Sequence, residues 1–281
     1  MTEWFTNGEA LAQLSASDRG LQYGDGLFET VAIRKGEPRL WDFHIDRLTK
    51  GCRLLGINRP PTAELYDGIQ HAVRQNDVPS AYCVAKMIVS AGAGRRGYGR
   101  QFTDTPSVMM AAFPSVPPPV ESYRGGIDTV LCTTRLAGNS PLAGCKTLNR
   151  LEQVLARSEF IDSGVFEGLT MDADDHIICG TMSNVFTVSG STIATPSLHS
   201  SGVEGVMRRH IIETLTKQGI EIEIRTLKLD EMDNMDEVFV CNSQFGVLPV
   251  RRCMESNWSV GEVTRSVMAA LAARGISECR S

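Results

Sequence analysis

Long apolar runs are missing from this 281-residue sequence. None approaches the ~20 residues that a membrane-spanning helix needs, so no span and no membrane partner are expected. The start, MTEWFTNGEA, has no basic stretch leading into an apolar one, so no secretory signal is expected. Cationic excess is missing too. The formal charge is -5, which argues against a general nucleic-acid binder and against a basic membrane anchor. It leaves room for a small anionic substrate, which needs only a few local cations. The eight cysteines are scattered with no C-x-x-C, and the five histidines form no H-E-x-x-H. A zinc site and a disulfide framework are therefore not expected. Reduced thiols in a cytoplasm fit this pattern.

What is present is ordinary for a globular chain: 42% hydrophobic and 22% charged residues. The length suggests two domains. The strongest punctuation is FPSVPPPVE, residues 113 to 121, whose prolines favour extended structure. A linker over 114–121 would separate a small domain, 1–113, from a larger one, 122–281. Before it, Leu27–Ile33 and Pro38–Trp41 read as strands around RKGEP. FHIDRLTKGCRLLGI and residues 63–75 read as helices, and AYCVAKMIVSAG and SVMMAAF as strands. After it come the strands GIDTVLCTT, EGLTMD, HIIC, SNVFTVS, STIATP, EIEIRTL and EVFVCNS. The segments GVMRRHIIETLTKQG and GEVTRSVMAALAARG have helical periodicity. Strands and helices mixed in both halves predict an α/β or α+β protein.

Lysine is scarce: Lys35, Lys50, Lys86, Lys146, Lys217 and Lys228 are all there are. Four sit in polar surroundings. Lys86 interrupts an apolar strand and can point to its polar side. Lys146 stands in AGCKTLNRLEQVL, where Leu148, Leu151, Val154 and Leu155 recur at three- and four-residue steps. A lysine at the start of such a helix is either solvated or partly desolvated. Desolvation would lower its pKa and free the amine for Schiff-base chemistry. GAGRRG, Gly92 to Gly97, matches G-x-G-x-x-G, but YGRQFTDTPS follows it without helical periodicity, so a dinucleotide fold is not expected. The loop instead offers Arg95, Arg96 and Tyr98 to an anionic ligand. GVEGVMRR, from Gly202 to Arg209, is a glycine-spaced turn entering a helix, a frame in which backbone N–H groups receive phosphate. A candidate Schiff-base lysine, a phosphate turn and Arg47 together suggest pyridoxal phosphate.

These residues resemble a known family, the fold-type IV pyridoxal-phosphate enzymes, which include branched-chain and D-amino-acid aminotransferases. The resemblance runs over nearly the whole chain. It rests on SDRGLQYGDGLFET, HIDRL, GRRGY, LAGCKTLNRLEQVLAR, SNVF, GVEGVMR and DEVFVCNS. The K-T-L-N-R-L-E-Q-V string looks like the 4-amino-4-deoxychorismate lyases within that family. The resemblance implies a two-domain, D-amino-acid-aminotransferase-like fold with a smaller N-terminal part. It implies that Lys146 is the Schiff-base lysine and proton shuttle, with Thr30 assisting proton transfer. Arg47, the backbone of Val206 and Met207, and Asn242 and Ser243 would hold the cofactor phosphate. Arg96 and Tyr98 would lie near substrate. A homodimer, and a functional link to aminodeoxychorismate synthase, follow from the same resemblance.

One departure stands out. Five residues before the asparagine of SNVF the family usually has a glutamate that contacts the pyridine nitrogen, and here that residue is Cys179. A thiol is a weak hydrogen-bonding group and cannot stabilise a pyridinium as a carboxylate does. Transamination would suffer most, whereas an elimination that ends in an aromatic ring has its own driving force. An aminotransferase and a non-catalytic relative remain the alternatives.

Overall fold

The computed structural model describes residues 2–99, 105–138 and 141–279. The chain divides into two compact units: Met1–Val116 with Cys145–Asn149, and Pro117–Gly144 with Arg150–Ser281.

In the first unit, strands β1 (Phe5–Thr6) and β2 (Glu9–Ala10) precede a short helix α1 (Arg19–Tyr23). Then come β3 (Gly26–Arg34), β4 (Glu37–Pro38), helices α2 (Trp41–Leu55) and α3 (Thr62–Gln75), and strands β5 (Tyr82–Ser90) and β6 (Ser107–Pro114). The sheet order is β2-β1-β6-β5-β3-β4. β3 and β5 pair antiparallel along their whole lengths, from Gly26 opposite Ser90 to Arg34 opposite Tyr82. Period-2 alternation sends Leu27, Val31 and Ile33 to one face. There they pack with Leu48 and Cys52 of α2 and Leu65 and Ile69 of α3. The strand expected over Pro38–Trp41 is only two residues long. Leu40 adopts a left-handed conformation and Trp41 begins α2.

The second unit opens with α4 (Val120–Gly125), so the last residues of the expected linker are helical. β7 (Ile127–Arg135), α5 (Leu151–Ser158), β8 (Glu167–Met171), β9 (Ile177–Gly180), β10 (Asn184–Ser189) and β11 (Thr192–Pro196) follow. After α6 (Val206–Thr216) come β12 (Ile222–Arg225), β13 (Glu237–Asn242), β14 (Gly246–Cys253), β15 (Ser256–Asn257) and α7 (Glu262–Ala272). The sheet runs β12-β11-β10-β13-β14-β7-β8-β9, with β15 on β14. β7 pairs parallel with both β14 and β8, and the remaining ladders are antiparallel apart from β11 with β12. β14 has no counterpart in the sequence reading: Pro249 sits within it, and a proline inside a run demotes a strand.

Two differences bear on Lys146. The helix begins at Leu151, so Lys146 does not start it. The segment 145–149 belongs to the first unit, whereas the linker argument placed it in the second domain. The reason is backbone pairing. The Phe28 N–H donates to Lys146 O at 3.0 Å, the Leu148 N–H donates to Gly26 O at 3.0 Å, and Leu27 faces Thr147 as an antiparallel bridge. Gly26 is needed at this seam, because a Cβ there would lie 2.7 Å from Val89 O. The apolar stripe on α5 is also not a core stripe: Leu151, Val154 and Leu155 are exposed.

Candidate active site

In the first unit, the backbone seam brings the Lys146 Nζ over the Phe28 ring, 4.3 Å from its centroid. An aromatic face attracts a cation, and contact with it removes part of the amine's water. Thr30 lies two residues on from Phe28 and so shares its face of β3. Lys86 stands opposite Thr30 and also reaches Phe28, with its Nζ 5.2 Å from the ring centroid. The register places Lys86 on the face of the sheet that carries Phe28 and Lys146.

The other face of β3 carries a buried carboxylate that the motif reading omitted. Glu29 Oε1 accepts from Arg47 Nε at 2.9 Å, and Glu29 Oε2 accepts from Arg47 Nη2 at 2.5 Å. His44 Nδ1 lies 2.6 Å from the same Oε2. Burial alone would raise the Glu29 pKa. The Arg47 charge and the bonds from His44 and Arg47 outweigh it and hold the carboxyl at about 2. Burial pushes His44 below its usual value against the pull of Glu29. A neutral His44 thus donates from Nδ1 to the carboxylate. Its buried Nε2 has no hydrogen-bond partner among the described residues. Arg47, expected at the phosphate, commits two donors to Glu29. A signal for Glu29 was available: it is an acid at an inward position between Leu27 and Val31, where an unpaired charge is costly.

The GRRGY loop is strapped to the segment before β3. The buried Arg19 donates to Gly97 O at 2.9 Å and Tyr98 O at 3.0 Å and pairs with Asp25 at 2.9 Å. Arg95 and Arg96 are exposed, and Tyr98 is 88% exposed with its ring edge-on to Tyr23. The loop thus presents its polar side chains outward from a pinned backbone. Residues 100–104, which continue it, lie outside the described residues.

In the second unit, Gly202–Gly205 leads into α6. Gly144 N–H donates to Gly202 O at 3.0 Å and Glu204 N–H to Gly144 O at 2.9 Å. Asn184 Nδ2 donates to Val203 O at 2.9 Å. Gly205 caps α6 without a side-chain bond, and a Cβ on it would lie 2.0 Å from Asn184 Oδ1. The Val206 and Met207 side chains are buried, so these residues can offer a ligand only their N–H groups. Arg208 is turned inward to Thr195 Oγ1 and Pro196 O. The buried Ser201 hydroxyl, just before the turn, has no partner among the described residues.

Asn242 is occupied in shaping its own turn. It accepts from the N–H groups of Gln244 and Phe245 at 2.8 and 3.0 Å and donates to Met182 O at 3.3 Å. Ser243 accepts from Gln244 Nε2 at 3.2 Å. Cys179, on β9 opposite Thr170, is buried, with Sγ 3.5 Å from Thr170 Oγ1. Burial pushes its thiol up to about 11, although Thr170 and the Val203 N–H oppose the shift. At neutral pH it is a thiol, so no carboxylate-like charge stands at that position.

The class IV amino-transferase family matches residues 26–253, and the chain belongs to it. Among its relatives, the aminodeoxychorismate lyase of Vibrio harveyi is 31% identical over 95% of this chain and 99% of its own length. The crystal structure of 4-amino-4-deoxychorismate lyase from Pseudomonas aeruginosa superposes with a TM-score of 0.88 at 41% identity, covering 96% of this chain and 98% of that one. A T.th. branched-chain amino acid aminotransferase, solved with pyridoxamine 5'-phosphate, has a TM-score of 0.81 at 23% identity, covering 99% and 95%, and shares the fold. Among the described residues no helix is long and apolar enough to cross a membrane.

Proposed function

We propose that this chain is a pyridoxal-phosphate-dependent lyase that converts 4-amino-4-deoxychorismate to 4-aminobenzoate and pyruvate. The residues fit the cofactor. An uncapped helix end, a glycine turn with no room for a Cβ and an orphaned buried hydroxyl at Ser201 suit a phosphate group. Lys146 suits its aldehyde. The observation that carries the lyase over an aminotransferase is Cys179, a neutral thiol where a carboxylate would strengthen the ring as an electron sink. The identity to the two lyases supports the same choice.

Bound pyridoxal phosphate supplies an aldehyde that takes up an amine and a ring that acidifies the neighbouring carbon. Lys146 would hold the cofactor's aldehyde, and its amine would take the proton from the substrate carbon bearing nitrogen. Thr30, on the Phe28 face, assists protonation of the departing enolpyruvyl group. The N–H groups of Val206 and Met207 would hold the phosphate, with Arg47, Asn242 and Ser243 contributing to that end of the cofactor. Arg96, Tyr98 and Lys86 meet the substrate's two carboxylates. Incubating the purified chain with cofactor and 4-amino-4-deoxychorismate will release 4-aminobenzoate and pyruvate in equal amounts. A chain that instead aminates a keto acid and releases no 4-aminobenzoate is an aminotransferase.

The proposed domains are 1–113 and 122–281, a division supported by the compact units Met1–Val116 with Cys145–Asn149 and Pro117–Gly144 with Arg150–Ser281. The exposed face of α5 supports a homodimer: Leu151, Val154 and Leu155 form an apolar stripe, and Leu151 is 77% exposed. Leu151→Glu will convert a dimer to monomers in sedimentation velocity, and an unchanged sedimentation coefficient removes α5 from the interface. A cytoplasmic enzyme drawing its substrate from aminodeoxychorismate synthase completes this reading.

A further inference from the structure

Glu167 begins β8, is fully buried, and has no role in the chemistry above. Oε1 accepts from Gly168 N at 3.0 Å, Thr181 N at 3.1 Å and Thr181 Oγ1 at 2.5 Å. Oε2 accepts from Met182 N at 3.2 Å and Ser183 Oγ at 2.7 Å. These partners are all neutral donors, and four of the five belong to one turn. The turn closes on the carboxylate so tightly that a Cβ at Gly180 would lie 2.7 Å from Glu167 Oε2. A buried charge is tolerable only when its lone pairs are filled in this way.

The turn leads to both segments assigned to the phosphate. Its next residue, Asn184, donates to Val203 O and abuts Gly205, the cap of α6. Its Met182 O accepts from Asn242 Nδ2, which heads the 242–245 turn. One carboxylate therefore sets a turn, and that turn sets two otherwise separate backbone segments.

We propose that Glu167 is the positioning residue of the phosphate site, holding the 203–207 and 242–245 backbones in register through the 181–184 turn. This rests on the cofactor reading above. In Glu167→Gln, an amide NH2 must face N–H donors that the carboxylate had accepted, and the turn shifts.

The test compares pyridoxal phosphate with pyridoxal, which lacks the phosphate, by absorbance titration of the full chain. Inorganic phosphate serves as competitor. Glu167→Gln will weaken pyridoxal phosphate about tenfold, from the loss of charge-assisted bonds. It will blunt competition by inorganic phosphate and leave pyridoxal affinity and kcat at saturating cofactor little changed. A merely structural role would weaken both ligands alike, so equal losses overturn the proposal. Unchanged pyridoxal phosphate affinity overturns it as well, while the cofactor reading stands. If Glu167→Gln does not fold, Thr181→Val with Ser183→Ala keeps the charge and removes two donors. It will show the same selective loss on a smaller scale, and no selectivity there overturns the proposal. A wild-type chain that binds neither pyridoxal phosphate nor inorganic phosphate overturns both this proposal and the cofactor reading.

Discussion

Lys146→Ala will lose 4-aminobenzoate release by about 10⁴-fold, the upper end of what one positioned acid–base group contributes. The variant will also lack the visible absorption band that the wild type shows with added cofactor. Both effects follow from one place in the fold. The Lys146 backbone is stitched to β3, and its ammonium lies over Phe28. Alanine keeps the stitch and removes the amine, so Tm will change little while activity collapses. That separation is the diagnostic feature. A variant that keeps the band and the product would return Lys146 to an ordinary surface residue. Lys86→Ala is the natural control, because Lys86 approaches the same ring from β5. It will raise KM for the dicarboxylate substrate and keep the band.

Glu29→Ala will destabilise the chain by about 3–5 kcal/mol, the usual result of leaving one partner of a buried ion pair alone. Urea unfolding at pH 7 measures it. Arg47 would lose two bonds and His44 one, both inside the first unit. Acid titration reports the same network with a definite sign. The Glu29 carboxyl sits at about 2 in the folded chain against an ordinary 4.5. A depressed carboxyl pKa means that the unfolded chain binds the proton more readily. The stabilisation is therefore complete above pH 4.5 and is lost as pH falls through 2, a change of about 3 kcal/mol. His44, held below its usual 6.5, has the same sign and begins the decline at higher pH. Glu29→Ala will flatten the acid limb below pH 4.5. An equally steep limb in the variant would assign the acid sensitivity to other carboxylates.

The two long helices of the first unit, α2 and α3, are readable in the sequence because their periodicity is clean, whereas the five-residue α1 is not. The pattern over 63–75 corresponds to Thr62–Gln75, and FHIDRLTKGCRLLGI to Trp41–Leu55. The same periodicity misleads at Leu148–Leu155. An exposed apolar stripe and a core stripe are identical in sequence, and burial alone separates them. Elimination and resemblance lead to Lys146, but its setting is invisible in the sequence. Pairing of 146–148 with Gly26–Phe28 joins residues far apart along the chain, and no local pattern announces a long-range ladder. Glu29 and Glu167 escape a motif search for a related reason. Each is one acid in an apolar strand, and its meaning lies mainly in partners on the elements that follow, outside any local motif. Cys179 is legible as a departure, and its burial turns that departure into a statement about charge.

The seam between β3 and the Lys146 segment also constrains the order of assembly. β4 pairs only with Ile33 and Arg34, so it leaves the Gly26–Phe28 end of that edge uncovered. The strand-like segment that covers it arrives after Val116 and after the whole of β7. During synthesis the N-terminal sheet must wait with an open edge, the kind of surface that invites wrong pairing. The last piece added to that sheet is the one that carries the Lys146 amine. A chain truncated before residue 145 thus lacks both the Lys146 amine and the cover on that edge of β3.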